Sequence, residues 1–150
     1  MRNAIESGRA VLLDTCVLIA YLDPVHPQNL SVIEKVIALR HQGYQLCIAP
    51  QCLYELWVVL TRPTDRNGFG LSCEAAERCL TAVRESFTLL EDPPGMVDEW
   101  QRLCVKLQIV GRRAHDARLI AYMRGHGLDK LFTLNVSDFQ AFTADGIQLI

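Results

Sequence analysis

The chain has 150 residues, a length that suits one folded domain built around one hydrophobic core. Half of its residues are hydrophobic and 21% are charged, which excludes an intrinsically disordered chain. The net charge of −2 excludes a globally basic surface, so a nucleic-acid partner requires a local patch of positive charge.

Six cysteines are scattered through apolar segments without a Cys-x-x-Cys pair, so we expect reduced thiols that are buried as small hydrophobic side chains. The four histidines do not pair with them at zinc-finger spacing. The first ten residues lack the apolar core of a signal peptide, and no apolar run is long enough to span a bilayer. We therefore expect a soluble, cytoplasmic protein without a membrane partner.

Apolar runs and helical periodicities alternate along the chain and predict a regular succession of strands and helices. In order, these are a strand at 11–13, helices at about 15–22 and 28–41, a strand at 45–49, helices at about 50–61 and 72–87, a strand at 87–90, helices at about 96–107 and 115–125, and strands at 131–134 and 147–150. Continuous apolar strands separated by helices favour a three-layer α/β/α fold with a mostly parallel central sheet.

The helix that begins at Pro50 is apolar on almost every side, which predicts that it is largely buried. It nevertheless carries Glu55 in its middle. Pro63 ends this helix, and the turn-forming sequence at 64–70 predicts an exposed, mobile loop. Such a loop could gate a neighbouring groove.

Acidic and amide side chains stand at positions where the pattern calls for apolar residues or where a strand ends. Asp14 ends the first strand, Glu55 lies inside the apolar helix, and Asp116 lies on the apolar face of a later helix near its start. Asn135 and Asp138 follow the fourth strand. Ligands of open α/β sheets bind where strands end, so we expect these side chains to meet there.

Each of these residues also has an ordinary structural explanation. Asp14 is a plausible helix N-cap, and Asp116 could complement a helix dipole. Glu55 could be satisfied by an arginine such as Arg62 or Arg118, because buried glutamates are normally paired. Asn135 and Asp138 are common turn residues. Several independent coincidences would be needed for all of these explanations to hold together.

Converging carboxylates repel one another unless a cation neutralises them. Ligands that are all oxygen, without cysteine or histidine, select Mg²⁺ or Mn²⁺ rather than zinc. Such an ion activates water and stabilises charge on a phosphoryl group. The acidic residues therefore indicate metal-assisted hydrolysis of a phosphodiester.

Three segments, LLDTCVLIAYLD, QCLYELWVVLTRP and HDARLIAYMRGHGLDKLFTLNVSDF, resemble the PIN-domain nucleases, and especially the VapC-like toxins of bacterial toxin–antitoxin pairs. The resemblance covers nearly the whole chain, which we therefore treat as a single PIN-like domain over residues 1–150. It implies a metal-dependent endoribonuclease that acts on tRNA, rRNA or mRNA. It also implies a homodimer and inhibition by a small antitoxin protein.

The resemblance assigns roles to particular residues of this chain. Asp14, Glu55 and Asp116 match the three main acidic metal-site positions of the family. Thr15 matches a hydroxyl residue that often follows the first aspartate, and Thr133 matches a threonine that lines the site. The fourth acid of the family falls at Asn135 or at Asp138, and only Asp138 could serve there as a charged metal ligand.

RNA binding requires local positive charge, and Arg112 and Arg113, just before the Asp116 helix, are the preferred phosphate-binding pair. Surface arginines are more often simply solvated. Tyr54 and Trp57 suit the core or a dimer interface better than base stacking. An aspartate-nucleophile phosphohydrolase is disfavoured because position 16 is cysteine rather than an acid. The alternative that stays open is a catalytically silent PIN-fold module that binds RNA or protein.

Overall fold

The computed structural model describes residues 5–6 and 8–150. The predicted absence of a signal peptide concerns the first ten residues, of which 1–4 and 7 lie outside these ranges. Within them, the strands are β1 (Ala10–Leu13), β2 (Gln45–Ile48), β3 (Thr88–Leu89), β4 (Lys130–Phe132) and β5 (Gln148–Leu149). The helices are α1 (Thr15–Leu22), α2 (Asn29–His41), α3 (Pro50–Thr61), α4 (Cys73–Ser86), α5 (Met96–Lys106), α6 (Arg113–Gly125) and α7 (Val136–Phe139). None of these helices combines the length and the apolar character that crossing a membrane requires.

All five strands are parallel and lie in the order β3-β2-β1-β4-β5, so β1 is the central strand. In β1, Val11, Leu12 and Leu13 are completely buried. Successive side chains of a strand point to opposite faces, so burial of all three means that both faces of the sheet are covered. The structure confirms the predicted three-layer α/β/α fold.

The side on which the chain adds new strands to the sheet switches between β1 and β4. From β1 the chain adds β2 and then β3 on one side, and it later adds β4 and β5 on the other. Ligands in open parallel sheets bind at such a switch point, outside the carboxyl ends of the strands. Asp14 follows β1 directly, and Thr133 follows β4 at the same edge.

Two details of the α3 region differ from the prediction. Tyr54 and Val58 are 66% and 54% exposed, so α3 is buried along one face only and not on almost every side. The two residues lie four apart on one side of the helix, and an apolar sequence does not reveal which side lacks a neighbour.

The loop at 64–70 is also more ordered than its turn-forming composition predicts. Residues 64–66 form a 3-10 helix. The backbone N–H groups of Phe69, Gly70 and Leu71 donate hydrogen bonds to carbonyl groups at the end of α3 and its cap, at Val59, Arg62 and Leu60. These bonds hold the loop against α3, which argues against a freely mobile gate.

The cysteines are free thiols, as predicted, but they are not uniformly buried. Cys47 and Cys52 lie in the core, whereas Cys73 at the start of α4 is exposed. Cys73 stands between Ser72 and Glu74 in the first turn of an amphipathic helix, on the side that faces solvent.

Candidate active site

Asp14 lies between β1 and α1, and the residue is only 8% exposed. Its Oδ1 accepts a hydrogen bond from the backbone N–H of Thr15 at 2.8 Å, so the residue does cap α1. Its Oδ2 accepts hydrogen bonds from Thr133 Oγ1 at 2.8 Å and from Cys16 Sγ at 3.3 Å. The N-cap role of Asp14 therefore does not exclude a role at the site, because only Oδ1 caps α1 and Oδ2 faces Thr133 and Cys16.

Burial raises the pKa of Asp14 above its usual value, and the negative charge of Glu55 adds to this effect. The hydrogen bonds from Thr133, Cys16 and Thr15 act in the opposite direction because they stabilise the charged form. Hydrogen-bond donors of the protein thus hold the Asp14 carboxylate in place, but they offset only part of the cost of burying its charge.

Cys16 was not predicted to belong to the site. Its thiol donates to Asp14, and its sulfur accepts the backbone N–H of Leu134 at 3.3 Å. Burial, and secondly the charge of Asp14, raises the pKa of Cys16 to about 12. The thiol therefore stays protonated and contributes a hydrogen-bond donor rather than a thiolate ligand.

Glu55 projects from α3 and has a neutral donor on each carboxylate oxygen. Thr15 Oγ1 donates to Oε2 at 2.7 Å, and Gln51 Nε2 donates to Oε1 at 2.9 Å. Thr15 is therefore the link between Asp14 and Glu55, since its backbone binds the first carboxylate and its hydroxyl the second.

Neither of the arginines that could have satisfied Glu55 pairs with it. Arg62 donates to the carbonyl of Asn67 at the far end of α3. Arg118 donates to Gln51 Oε1 at 2.8 Å and forms an ion pair with Asp92 at 3.1 Å. The hydroxyl of Thr15 and the amide of Gln51 bind Glu55 instead. Both donors are neutral, so they do not neutralise the negative charge of the carboxylate.

Gln51 is the second residue that sequence reasoning missed. It is 8% exposed, and its Nε2 also donates to the backbone carbonyl of His115 at 2.9 Å. The side chain therefore connects α3 to the first turn of α6. The available signal was a polar residue one helical turn before Glu55, on the same face.

Asp116 is half-buried in the first turn of α6. Its pKa rises from 3.8 to about 6, first because of burial, then because of the charges of Asp138 and Asp14. Arg113 lowers it and Glu55 raises it by smaller amounts. Asp116 therefore lies within electrostatic reach of Asp14, Glu55 and Asp138.

Of the two candidates for the fourth acid, Asp138 is the one that acts on Asp116. Both Asn135 and Asp138 are exposed. Asn135 precedes α7 without capping it through its side chain, and its backbone N–H donates to Thr133 Oγ1 at 3.0 Å. Asn135 thus supports the threonine that holds Asp14, while Asp138 supplies charge beside Asp116.

Arg112 and Arg113 are exposed at the start of α6. Arg113 donates to the backbone carbonyl of Asp138 at 3.4 Å and acts on the charge of Asp116. The pair is therefore accessible and stands at the margin of the acidic residues.

The residues at this site fit a hard divalent cation. Asp116 lies within electrostatic reach of three other carboxylates, the pKa of Asp14 and that of Asp116 are raised, and the sulfur beside Asp14 is a protonated thiol. Over residues 5–6 and 8–150, no three His, Cys, Asp or Glu side chains stand close enough together to hold a metal ion as they are placed. The arrangement is a set of neighbouring oxygen donors, of the type that Mg²⁺ or Mn²⁺ prefers.

Comparison with known proteins agrees with the fold. Residues 10–137 match the PIN-domain family. A stretch of 91 residues is 38% identical to Ribonuclease VapC24 of Mycobacterium tuberculosis and covers 60% of this chain. It spans 62% of that relative, which is less than two thirds of its length.

Two solved structures share the fold. VapBC2 from Rickettsia felis, bound to a DNA fragment from its promoter, superposes with a TM-score of 0.70 at 14% identity, over 94% of this chain and 97% of that chain. VapC20 from Mycobacterium tuberculosis, described as a toxin that cleaves the sarcin-ricin loop, has a TM-score of 0.66 at 16% identity, over 92% and 96%. At these identities the similarity is one of fold.

Proposed function

We propose that this chain, which belongs to the PIN-domain family, is a divalent-metal-dependent endoribonuclease and the toxin of a toxin–antitoxin pair. The observation that carries the proposal is the convergence of Asp14, Glu55, Asp116 and Asp138 at the switch point of a parallel sheet. The likeness to Ribonuclease VapC24 supports RNA as the substrate.

In this proposal, Asp14, Glu55 and Asp116 hold Mg²⁺ or Mn²⁺, and Asp138 completes the acidic set. A divalent cation supplies activation of water and compensation of the negative charge that develops on phosphate. The protein fixes the carboxylates for this purpose. Thr133 and Cys16 hold Asp14, and their donors keep Oδ2 in a defined position.

Positive charge at the margin of the site suits a phosphate backbone. Arg112 and Arg113 are exposed next to Asp116, so they can contact phosphates on either side of the bond that is cleaved. Such contacts position RNA without reading its sequence, and they weaken as salt rises.

Two protein partners belong to the proposal. A small antitoxin is supported by the fold shared with VapBC complexes. A second copy of the chain would cover apolar side chains that are exposed on α3, at Tyr54 and Val58.

The test is cleavage of a mixed pool of tRNA and ribosomal RNA by purified protein with Mn²⁺ or Mg²⁺. EDTA and the Asp14→Asn variant serve as negative controls. Asp65→Asn, at an exposed acid in the loop after α3, is the matched control. Discrete fragments that require metal and Asp14, and that persist in Asp65→Asn, are expected.

Cleavage that continues at the wild-type rate in EDTA or in Asp14→Asn would reject the assigned site. The melting temperature with Mn²⁺ gives a second criterion. Absence of both cleavage and a metal response would support the alternative, a catalytically silent PIN-fold module that binds RNA or protein.

A further inference from the structure

We infer that Gln51 is a positioning residue that fixes the orientation of Glu55 relative to Asp116, and so sets the affinity of the acidic site for its cation. The inference rests on the proposed function. Its basis is the bridge that Gln51 makes between α3, which carries Glu55, and the first turn of α6, which carries Asp116.

The orientation of the Gln51 amide follows from its partners. Arg118 can only donate, so the group that faces its Nη1 at 2.8 Å must be the carbonyl oxygen of Gln51. The amide nitrogen then faces two acceptors, Glu55 Oε1 and the backbone carbonyl of His115, both at 2.9 Å. Each polar atom of this buried side chain has a partner of the right kind.

The two hydrogen bonds of the Gln51 nitrogen fix the orientation of Glu55 and the position of the first turn of α6, respectively. The bond to Glu55 Oε1 acts together with that from Thr15 to Oε2, so both oxygens are held and the plane of the carboxylate is defined. The bond to His115 places the residue just before Asp116 at a set distance from α3. Together they determine where the second and third acids stand relative to each other.

Gln51 also keeps a positive charge away from Glu55. Without this amide in between, Arg118 would stand closer to the carboxylate and offset the negative charge that a cation requires. With Gln51 as a neutral spacer, Arg118 and its partner Asp92 anchor the amide without pairing with Glu55. Gln51 thus holds the Glu55 carboxylate in a fixed orientation and leaves its negative charge unpaired by Arg118.

The experiment measures Mn²⁺ binding by calorimetry and by the shift in melting temperature, without RNA. Gln51→Met removes the amide and keeps nearly the same shape. Gln101→Met, at an exposed glutamine on α5, is the matched control. Arg118→Met releases the anchor but keeps the donors of Gln51, so it covers the case in which Gln51→Met does not fold.

Partners that orient metal ligands typically change affinity by about 10- to 100-fold. We expect a loss in this range for Gln51→Met, a smaller loss for Arg118→Met, and no change for Gln101→Met. A purely structural role would lower the melting temperature of Gln51→Met but leave its Mn²⁺ affinity and Mn²⁺-induced shift at wild-type values.

The outcomes separate the inference from the proposed function. If the wild type binds Mn²⁺, Asp14→Asn does not, and Gln51→Met binds as the wild type does, the role of Gln51 is refuted and the metal site stands. If the wild type shows no Mn²⁺ binding, the metal site itself is refuted, and the inference falls with it.

Discussion

The two sides of the acidic site are built in different ways. On the strand side, Asp14 is buried and its two oxygens accept hydrogen bonds from Thr15, Cys16 and Thr133. On the helix side, Asp116 is half-buried and Asp138 is exposed, and the two interact mainly through charge. The strand side is thus held by directional hydrogen bonds, whereas the two carboxylates of the helix side repel each other.

This difference predicts that the two sides respond differently to mutation, salt and pH. Directional hydrogen bonds in a buried place respond to the shape of a side chain and little to salt. Charge interactions near the surface respond to pH and ionic strength. The strand side should therefore determine whether the site can form, and the helix side should determine the conditions under which it works.

The largest effect is expected on the strand side. Asp14→Asn keeps the shape of the side chain but removes the charge that faces the cation. We expect a loss of RNA cleavage of more than about 100-fold, since a metal contributes several kcal/mol to such reactions. The secondary structure, followed by circular dichroism, should stay unchanged, and an active variant would contradict the importance of this side.

Thr133 tests whether the hydrogen bond itself matters. Thr133→Val removes the donor to Asp14 Oδ2 at almost constant volume, whereas Thr133→Ser keeps it. We expect about a tenfold loss of cleavage rate for valine and little change for serine. Equal rates for the two variants would mean that the bond does not position Asp14.

A smaller effect is expected from the exposed acid on the helix side. Asp138→Asn should weaken Mn²⁺ binding by roughly fivefold, the effect of about 1 kcal/mol from an exposed charge. Asn135→Ala should leave Mn²⁺ binding close to wild type, since the backbone rather than the side chain of Asn135 contacts Thr133. The reverse order in a calorimetric titration would make Asn135 the fourth residue.

The smallest effect is a dependence of stability on pH that comes from the helix side. Asp116 binds its proton more tightly in the folded chain, because its pKa rises from 3.8 to about 6. It therefore adds stability below pH 3.8, and this contribution is lost as the pH rises through about 6.

In metal-free protein, the free energy of unfolding should thus fall between pH 5 and pH 7.5 by more in the wild type than in Asp116→Asn. The difference should be on the order of 1 kcal/mol once solvent screening is considered. Urea titrations in EDTA at the two pH values measure it. Identical pH dependence in both proteins would refute the raised pKa.

The three main acids could be singled out from the sequence because they interrupt its apolar periodicity, and most of the fold follows from that periodicity itself. Asp14, Glu55 and Asp116 each place a charge where the pattern requires an apolar side chain, and such a break has few structural explanations. The sheet was predictable for the related reason that apolar runs of strand length alternate with helices.

The supporting residues could not be predicted in the same way. Cys16 is indistinguishable in sequence from a small core residue, and Gln51 is a neutral residue in an apolar helix. The choice between Asn135 and Asp138 depends on how the chain turns after β4, which spacing alone does not determine. The exposure of Tyr54 and Val58 depends on which helices pack against α3.

The central position of β1 also governs when the site can assemble during synthesis. β1 pairs with β4, so Asp14 acquires its bond from Thr133 only after a chain separation of 119 residues has been closed. Closing so long a loop costs chain entropy, which slows the formation of such contacts. A ribosome-bound chain therefore carries the complete acidic site only after Asp138 has emerged, and before that point Asp14 and Glu55 lack their remaining partners.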